Sequence, residues 1–312
     1  VLSVTTGSIL MLELDALAAC LSTPACLVNQ TTSGLIIGML LFLVASGVTL
    51  IFGVLHVINF AHGSFYMLGA YFAFTVYQVT GNYFLAAAAG ALGAAISGIV
   101  FERFIISRVY GQNLLMQLLV CYAFILIIDD LVKIVWGAEY LAMGIPAEFR
   151  LPPYRVAGGY VPPFYLFLVA MAVLIGIGSL LIVTKTRFGK IVRAAAQNAP
   201  MVSALGIRVN VYFALLFGLG CALAGVAGAL AAPVRSLTPG MGLGILVESF
   251  IVTVIGGMGS IPGAFLAAII LGLTRSIGSV GFPLFVDGAM FMIMALVLIF
   301  RPTGLLGQGT LR

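Results

Sequence analysis

The chain has 312 residues, 62% of them hydrophobic and 7% charged, with 14 Lys+Arg against 9 Asp+Glu and a net charge of +5. Soluble domains carry about 25% charged residues, so this sequence is too apolar to cover its surface in water and takes lipid as its solvent. Its mean hydropathy is +1.24. The basic balance fits membrane topology rather than nucleic-acid binding, because no basic patch with interleaved aromatics occurs.

Residues 1–28 are expected to form an ill-defined extension. The stretch SILMLELDALAACL is only moderately apolar and carries Glu13 and Asp15. No basic segment precedes it, which argues against a secretory signal. The sequence starts at Val1, and Met11 stands as an alternative start. A bilayer core needs about 20 apolar residues per helix. Spans are therefore predicted over 31–54, 64–79, 83–105, 113–136, 163–184, 210–233, 243–257, 264–281 and 283–300. The expected fold is all-α, a polytopic transmembrane helical bundle of about 8–9 spans with broken or re-entrant helices. One membrane domain runs over 29–307 and a tail over 308–312.

Charge orients the spans. Arg103 and Arg108 stand against Glu102 in the 102–110 loop, and Arg301 and Arg312 mark the tail. Lys185, Arg187, Lys190, Arg193 and Arg208 fill the 185–208 loop, and no acidic residue occurs between Glu148 and Glu248. Lys and Arg bias loops to the cytoplasmic side, so these three segments, the C-terminus included, are expected inside. The loop 137–162 (Glu139, Glu148, Arg150, Arg155) and the segment 234–242 (Arg235, Thr238, Pro239) are then outside. The connection 55–63 is either a break inside the membrane or a true loop.

Ionisable residues in spans are costly. Asp129, Asp130 and Lys133 cluster near the outer end of a span, where an interfacial ion pair is expected over a proton relay, Asp129 and Lys133 having i,i+4 spacing. Glu248, near an outer helix end, faces a polar cavity or pairs with Arg235, and Arg275 and Asp287 behave similarly. None sits convincingly at the midplane, where a proton-coupled carrier needs a carboxylate. Cys20, Cys26, Cys121 and Cys221 lack metal-ligand spacing. Cys121 and Cys221 read as small apolar packers. A Cys20–Cys26 bridge requires that segment to be external, and spacing alone does not favour it. With only His56 and His62 and no nearby carboxylate, no metal site is expected.

Three passages carry polar chemistry. In HVINFAHGSF, Asn59, His62, Gly63 and Ser64 cluster between apolar helices. Irregular backbone at membrane depth persists where it is buried in protein or lines a route. These residues therefore line or gate a path, or Ser64 simply caps the next helix. In GGMGSIPG, Gly256, Gly257 and Gly259 let one helix end sharply and Pro262 restarts the next, a hinge that alternatively touches substrate directly. Ser249 and Thr253 precede it on one face and offer hydroxyls to a path or to a neighbouring helix. Within the basic loop, Asn198 suits an N-cap, Pro200 a first turn and Gly206 a left-handed stop. A helix over 199–205, about 10 Å long, then carries Met201, Val202 and Leu205 as an apolar stripe, edged by Arg193, Gln197 and Asn198. It docks a soluble partner, or the loop only sets topology.

The stretches GVTLIFGVLHVINFAHGSFYMLGAY (47–71), VRAAAQNAPMVSALGIR (192–208), IVTVIGGMGSIPGAFLAAIILG (251–272) and RPTGLLG (301–307), in that order, closely resemble the permease family of bacterial branched-chain amino-acid ABC importers, on the H-type subunit side. The resemblance covers about residues 27–307. It implies an inner-membrane importer with a second, different permease subunit, two cytosolic ATPase subunits and a periplasmic binding protein that delivers a small amino acid. It makes the basic-loop helix the coupling helix. Related permeases serve urea, short amides or aromatic acids, so the substrate stays open. The chain has no G-x-x-x-x-G-K-[ST] loop, since Lys190 follows a lone Gly189, and no catalytic triad is assembled. It is therefore expected to bind no cofactor and to be no enzyme, with ATP used by a partner. A stand-alone channel or secondary carrier is the competing class.

Overall fold

The computed structural model describes residues 15, 17–55, 57 and 59–307. The alternative start at Met11 and the tail 308–312 lie outside them. In lipid, a backbone must satisfy its own amides, and the apolar stretches fold as helices. These are α1 (Pro24–Leu55), α2 (His62–Thr80), α3 (Tyr83–Phe104), α4 (Leu114–Trp136), α5 (Pro163–Lys185), α6 (Arg187–Ala204), α7 (Val209–Ala231), α8 (Met241–Gly256), α9 (Ile261–Gly281) and α10 (Val286–Phe300). Among the described residues, six helical segments are long and apolar enough to cross a membrane, and Met241–Gly256 is a shorter apolar helix. Every expected span is found as a helix, although α1 starts at Pro24, inside the stretch read as an ill-defined extension.

Local chemistry sets the helix ends. Asn82 Oδ1 accepts the Leu85 N–H at 3.1 Å to start α3, and Ser260 Oγ accepts the Gly263 N–H at 3.1 Å to start α9, as short polar caps do. Pro163 and Pro262 stand in first turns, where the missing N–H costs nothing.

α1 is the axis of the bundle, and residues 38–51 of it are all buried. Lipid tails are as apolar as leucine, so close backbone approach through small residues holds such helices together. Gly34 and Gly38 of α1 meet Gly272 and Ala268 of α9, and Gly47 meets the Gly220 carbonyl of α7. A further close crossing sets Gly225 of α7 against Gly69 of α2 and Gly90 of α3, where a side chain at 225 would collide with Ala94.

At one end, two loops are tied together. Leu141 N–H donates to the Leu237 carbonyl at 3.1 Å and Leu237 N–H to the Leu141 carbonyl at 2.8 Å. Between α4 and α5 lies a hairpin, β1 (Tyr154–Val156) antiparallel to β2 (Gly159–Val161), with Tyr154 opposite Val161. The bundle is thus helical with a small hairpin that periodicity did not predict. Asn29 Oδ1 accepts the Tyr160 N–H at 2.9 Å, which fastens the start of α1 to the hairpin. Just before it, Cys20 and Cys26 are disulfide-bonded with Cα atoms 5.2 Å apart, a pairing that spacing alone did not favour. Spacing misses it because the helical turn that brings the two together is not written in the cysteines.

At the other end, the expected hinge and the RPTGLLG segment form one structure. Leu305 N–H donates to the Ile255 carbonyl at 2.8 Å and Leu306 N–H to the Gly256 carbonyl at 3.1 Å, which satisfies carbonyls that the end of α8 leaves open. Gly257 at φ +99° and Gly304 at φ +81° take left-handed conformations there, open to glycine without the Cβ penalty.

Candidate functional site

The connection between α1 and α2 returns inside the bundle. α1 has 32 residues, about 48 Å of helix at 1.5 Å per residue, and Gly47 lies about three-quarters along it. Gly47 touches both the His62 ring and the carbonyl of Gly220, which is the midpoint of α7 (Val209–Ala231). α2 therefore starts at the mid-depth of a spanning helix, and the break is re-entrant. Asn59, His62 and Ser64 are all buried there, His62 completely. Neither ring nitrogen of His62 has a hydrogen-bond partner within geometric limits. Ser64 is not the cap of α2; Ala61 holds that position and makes no side-chain cap bond. Gly63 lies against the Gly242 carbonyl of α8, leaving no room for a side chain.

Asn59 organises the turn. Its Oδ1 accepts the Ala61 N–H at 3.1 Å and faces the Cys121 thiol at 3.9 Å, while its Nδ2 is buried without a partner. Beside it opens a cavity of about 160 Å³ walled by Val48, Phe60, Leu246, Phe250, Ile251 and Met294. Val247 and Phe291 flank it and are exposed on this chain. The Phe60 and Phe250 rings stack with centroids 6.3 Å apart.

Of the other expected path residues, Thr253 ties α8 to α1, whereas Ser249 bonds within α8. Thr253 Oγ1 donates to the Ser249 carbonyl at 2.9 Å and reaches the Ala45 carbonyl and Thr49 Oγ1 of α1, each at 3.4 Å. Ser249 Oγ donates to the Leu246 carbonyl at 2.9 Å. Both hydroxyls are buried. Gly256 packs on Gly263 and Ala264, and Gly257 on Gly307.

The charged pairs differ from expectation. Glu248 sits two turns into α8 and pairs with Arg275 of α9, not with Arg235, in a contact that leaves the two side chains 13% and 29% exposed. Lys133 pairs with Asp130 at 2.9 Å rather than with Asp129, while the Asp129 carboxylate turns toward Gly240. Glu102 accepts the Tyr110 hydroxyl at 2.8 Å. For Glu248, the packing of α9 on α8 selects the partner, which spacing along one chain does not reveal, whereas the Lys133–Asp130 pair is an exposed i,i+3 contact on one helix.

The basic stretch is a helix, not a loop. Thr186 Oγ1 accepts the Gly189 N–H at 3.2 Å to start α6. Asn198 leaves helical geometry (φ −153°, ψ 84°), and its Oδ1 accepts the Met201 N–H at 3.0 Å, which starts a second short turn. Gly206 at φ +82° ends it. Lys185, Arg187, Lys190, Gln197 and Arg208 are exposed. The expected stripe divides: Val202 packs inward with Ala195 and Val209, while Met201 and Leu205 are 63% and 75% exposed. Arg193 is exposed too, but donates to the Val183 and Thr184 carbonyls at 2.6 and 3.4 Å, where a cation suits a helix C-terminus.

A lipid-adapted helical bundle with a re-entrant break at mid-depth and a capped helix at its basic end is a multi-pass membrane protein by architecture. The family described as the permease component of the branched-chain amino acid transport system matches residues 30–300, and this chain belongs to it. The high-affinity branched-chain amino acid transport system permease protein BraD of Pseudomonas aeruginosa is 31% identical over 293 residues, 90% of this chain and 95% of that protein. The high-affinity branched-chain amino acid transport system permease protein LivH of Escherichia coli K12 is 30% identical over 300 residues, again 90% and 95%. A probable branched-chain amino acid transport permease LivH of Methanocaldococcus jannaschii is 28% identical over 286 residues, 86% of this chain and 89% of that protein. Among solved structures, PsaBC from Streptococcus pneumoniae in complex with Fab aligns at a TM-score of 0.47 with 12% identity, over 92% of this chain and 94% of that one.

Proposed function

We propose that the chain is the membrane-spanning subunit of an ABC importer for a small amino acid, branched-chain as in its relatives, and that it works with a second, different permease subunit. A periplasmic binding protein delivers the substrate at the hairpin end. Two cytosolic ATPase subunits, which bind the ATP, drive it from the α6 end. This orientation puts the basic stretch and the C-terminus inside the bacterial inner membrane, following the Lys/Arg rule. The Cys20–Cys26 bridge supports the outward placement of the hairpin end, since disulfides persist in oxidising compartments. Asn59, His62 and Ser64 border the route, and Gly63, Ser249, Thr253, Gly256 and Gly257 hold the surrounding helices.

The observation that carries this reading is the exposed pair Met201 and Leu205 on a capped turn beside Gln197 and Asn198. Two large apolar side chains on a basic surface gain little from water, and a partner cleft covers them. Arg193 serves this face by fixing α6 to α5 rather than by touching the partner. The expected result for Met201→Glu/Leu205→Glu in the reconstituted transporter is continued membrane insertion with loss of most ATP-driven uptake, about tenfold or more. Unchanged uptake, or uptake by this chain alone that follows a gradient without ATP, would overturn the proposal in favour of a channel or carrier.

A further inference from the structure

We infer that the basic cluster Lys185, Arg187 and Lys190, at the turn from α5 into α6, binds the headgroup of an anionic phospholipid, with the last turn of α5 as the wall for its acyl chains. The inference needs only that the chain spans a bilayer, not that it is an importer subunit. α5 has 23 residues, about 34 Å of helix at 1.5 Å per residue, against a hydrocarbon core of about 30 Å. Its last residue, Lys185, therefore reaches the headgroups. α6 does not run on away from the membrane. Gly189 rests on the Val183 and Ile182 carbonyls, too close to admit a side chain, and Arg193 donates to the Val183 and Thr184 carbonyls. The first two turns of α6 are thus folded back across the end of α5 and stay at headgroup level. Leu181 and Ile182 on that last turn are exposed, which suits acyl chains beside the cations.

No protein anion answers these charges. The ion pairs of the described residues, Lys133–Asp130 and Arg275–Glu248, lie elsewhere, and the sequence holds no acid between Glu148 and Glu248. Arg187 and Lys190 are both exposed at i,i+3 spacing, where like charges repel, and cations in a first turn oppose the helix macrodipole. The Phe188 and Tyr212 rings stack with centroids 6.0 Å apart, which draws the start of α7 toward α6, with exposed Arg208 one turn before Tyr212. An anion among these cations relieves the repulsion. Each Lys or Arg beside an anionic bilayer surface strengthens binding by about fivefold, and the headgroup level of the cluster makes that surface its nearest source of phosphate. Met201 stands about four turns further along α6, so a headgroup here leaves the seat at Met201 and Leu205 free.

The test is a titration of the full chain in detergent with phosphatidylglycerol or phosphatidylcholine, read as the thermal unfolding midpoint. Both lipids bring acyl chains, so their difference isolates headgroup charge. Phosphatidylglycerol should raise the midpoint at a concentration about tenfold or more below that of phosphatidylcholine. About 1 M salt should remove this preference from the wild-type chain. Arg187→Gln/Lys190→Gln should lose it, whereas Arg103→Gln/Arg108→Gln, in the other basic connection, should keep it. Equal response to the two lipids overturns the site, as does equal stabilisation by inorganic phosphate, which would mark a soluble anion instead. A preference that survives Arg187→Gln/Lys190→Gln, with loss of a copurifying soluble subunit in its place, would make the cluster a protein-docking face and also overturn it.

Discussion

Glu248 and Arg275 illustrate how a membrane interior constrains single residues. Each charge alone is expensive in lipid, yet they meet between α8 and α9 with 13% and 29% of their side chains exposed. Breaking a buried pair leaves an uncompensated charge, a loss of 3–5 kcal/mol when fully buried. The partial exposure here lowers the expected cost of Glu248→Gln to about 1–3 kcal/mol. The charge-swapped Glu248→Arg/Arg275→Glu should recover most of it. Thermal unfolding of the detergent-solubilised protein reads both variants, and equal midpoints for wild type and Glu248→Gln would show that the pair contributes nothing. The sequence revealed that Glu248 needed a partner, because charge in a span is rare. It did not reveal which, because Arg235 and Arg275 are both reachable in sequence and only the packing angle of α9 on α8 decides.

Among the elements, small residues do the work that hydrophobic side chains do in water. Gly225 of α7 packs against Gly69, Gly90 and Ala94 on two other helices. Gly225→Leu should force α2, α3 and α7 apart and cost about 1–3 kcal/mol or more by overpacking, visible as a lower yield of monodisperse protein on size-exclusion chromatography. A fully monodisperse, equally stable variant would mean that this crossing is looser than described. α6 shows the limits of local signals. Asn198, Pro200 and Gly206 were legible as cap, first-turn and stop residues, since each acts within a few positions of itself. The division of Met201 and Leu205 from Val202 was not. The position of Val209, with which Val202 packs, depends on where α7 re-enters the bundle.

For the molecule as a whole, orientation is the property that both ends must share. Lys185, Arg187, Lys190 and Arg208 stand exposed at one end, and the hairpin, the tied Leu141–Leu237 loops and the Cys20–Cys26 bridge stand at the other. In intact cells, Tyr160→Cys should react with a membrane-impermeant maleimide, and Lys190→Cys should react only after permeabilisation. The reverse pattern would invert the topology, and with it the proposed ATPase face. The sequence by itself determined the class, the helices and the charge asymmetry, because composition, apolar length and Lys/Arg counts act locally and lipid leaves few alternatives to a helix. Only the tertiary structure decided that the α1–α2 connection is re-entrant, that RPTGLLG closes the end of α8 and that Asn59 borders a cavity. Each of these joins segments distant along the chain. Which backbones approach depends on where glycines from different helices coincide in space, and no spacing within one helix encodes that.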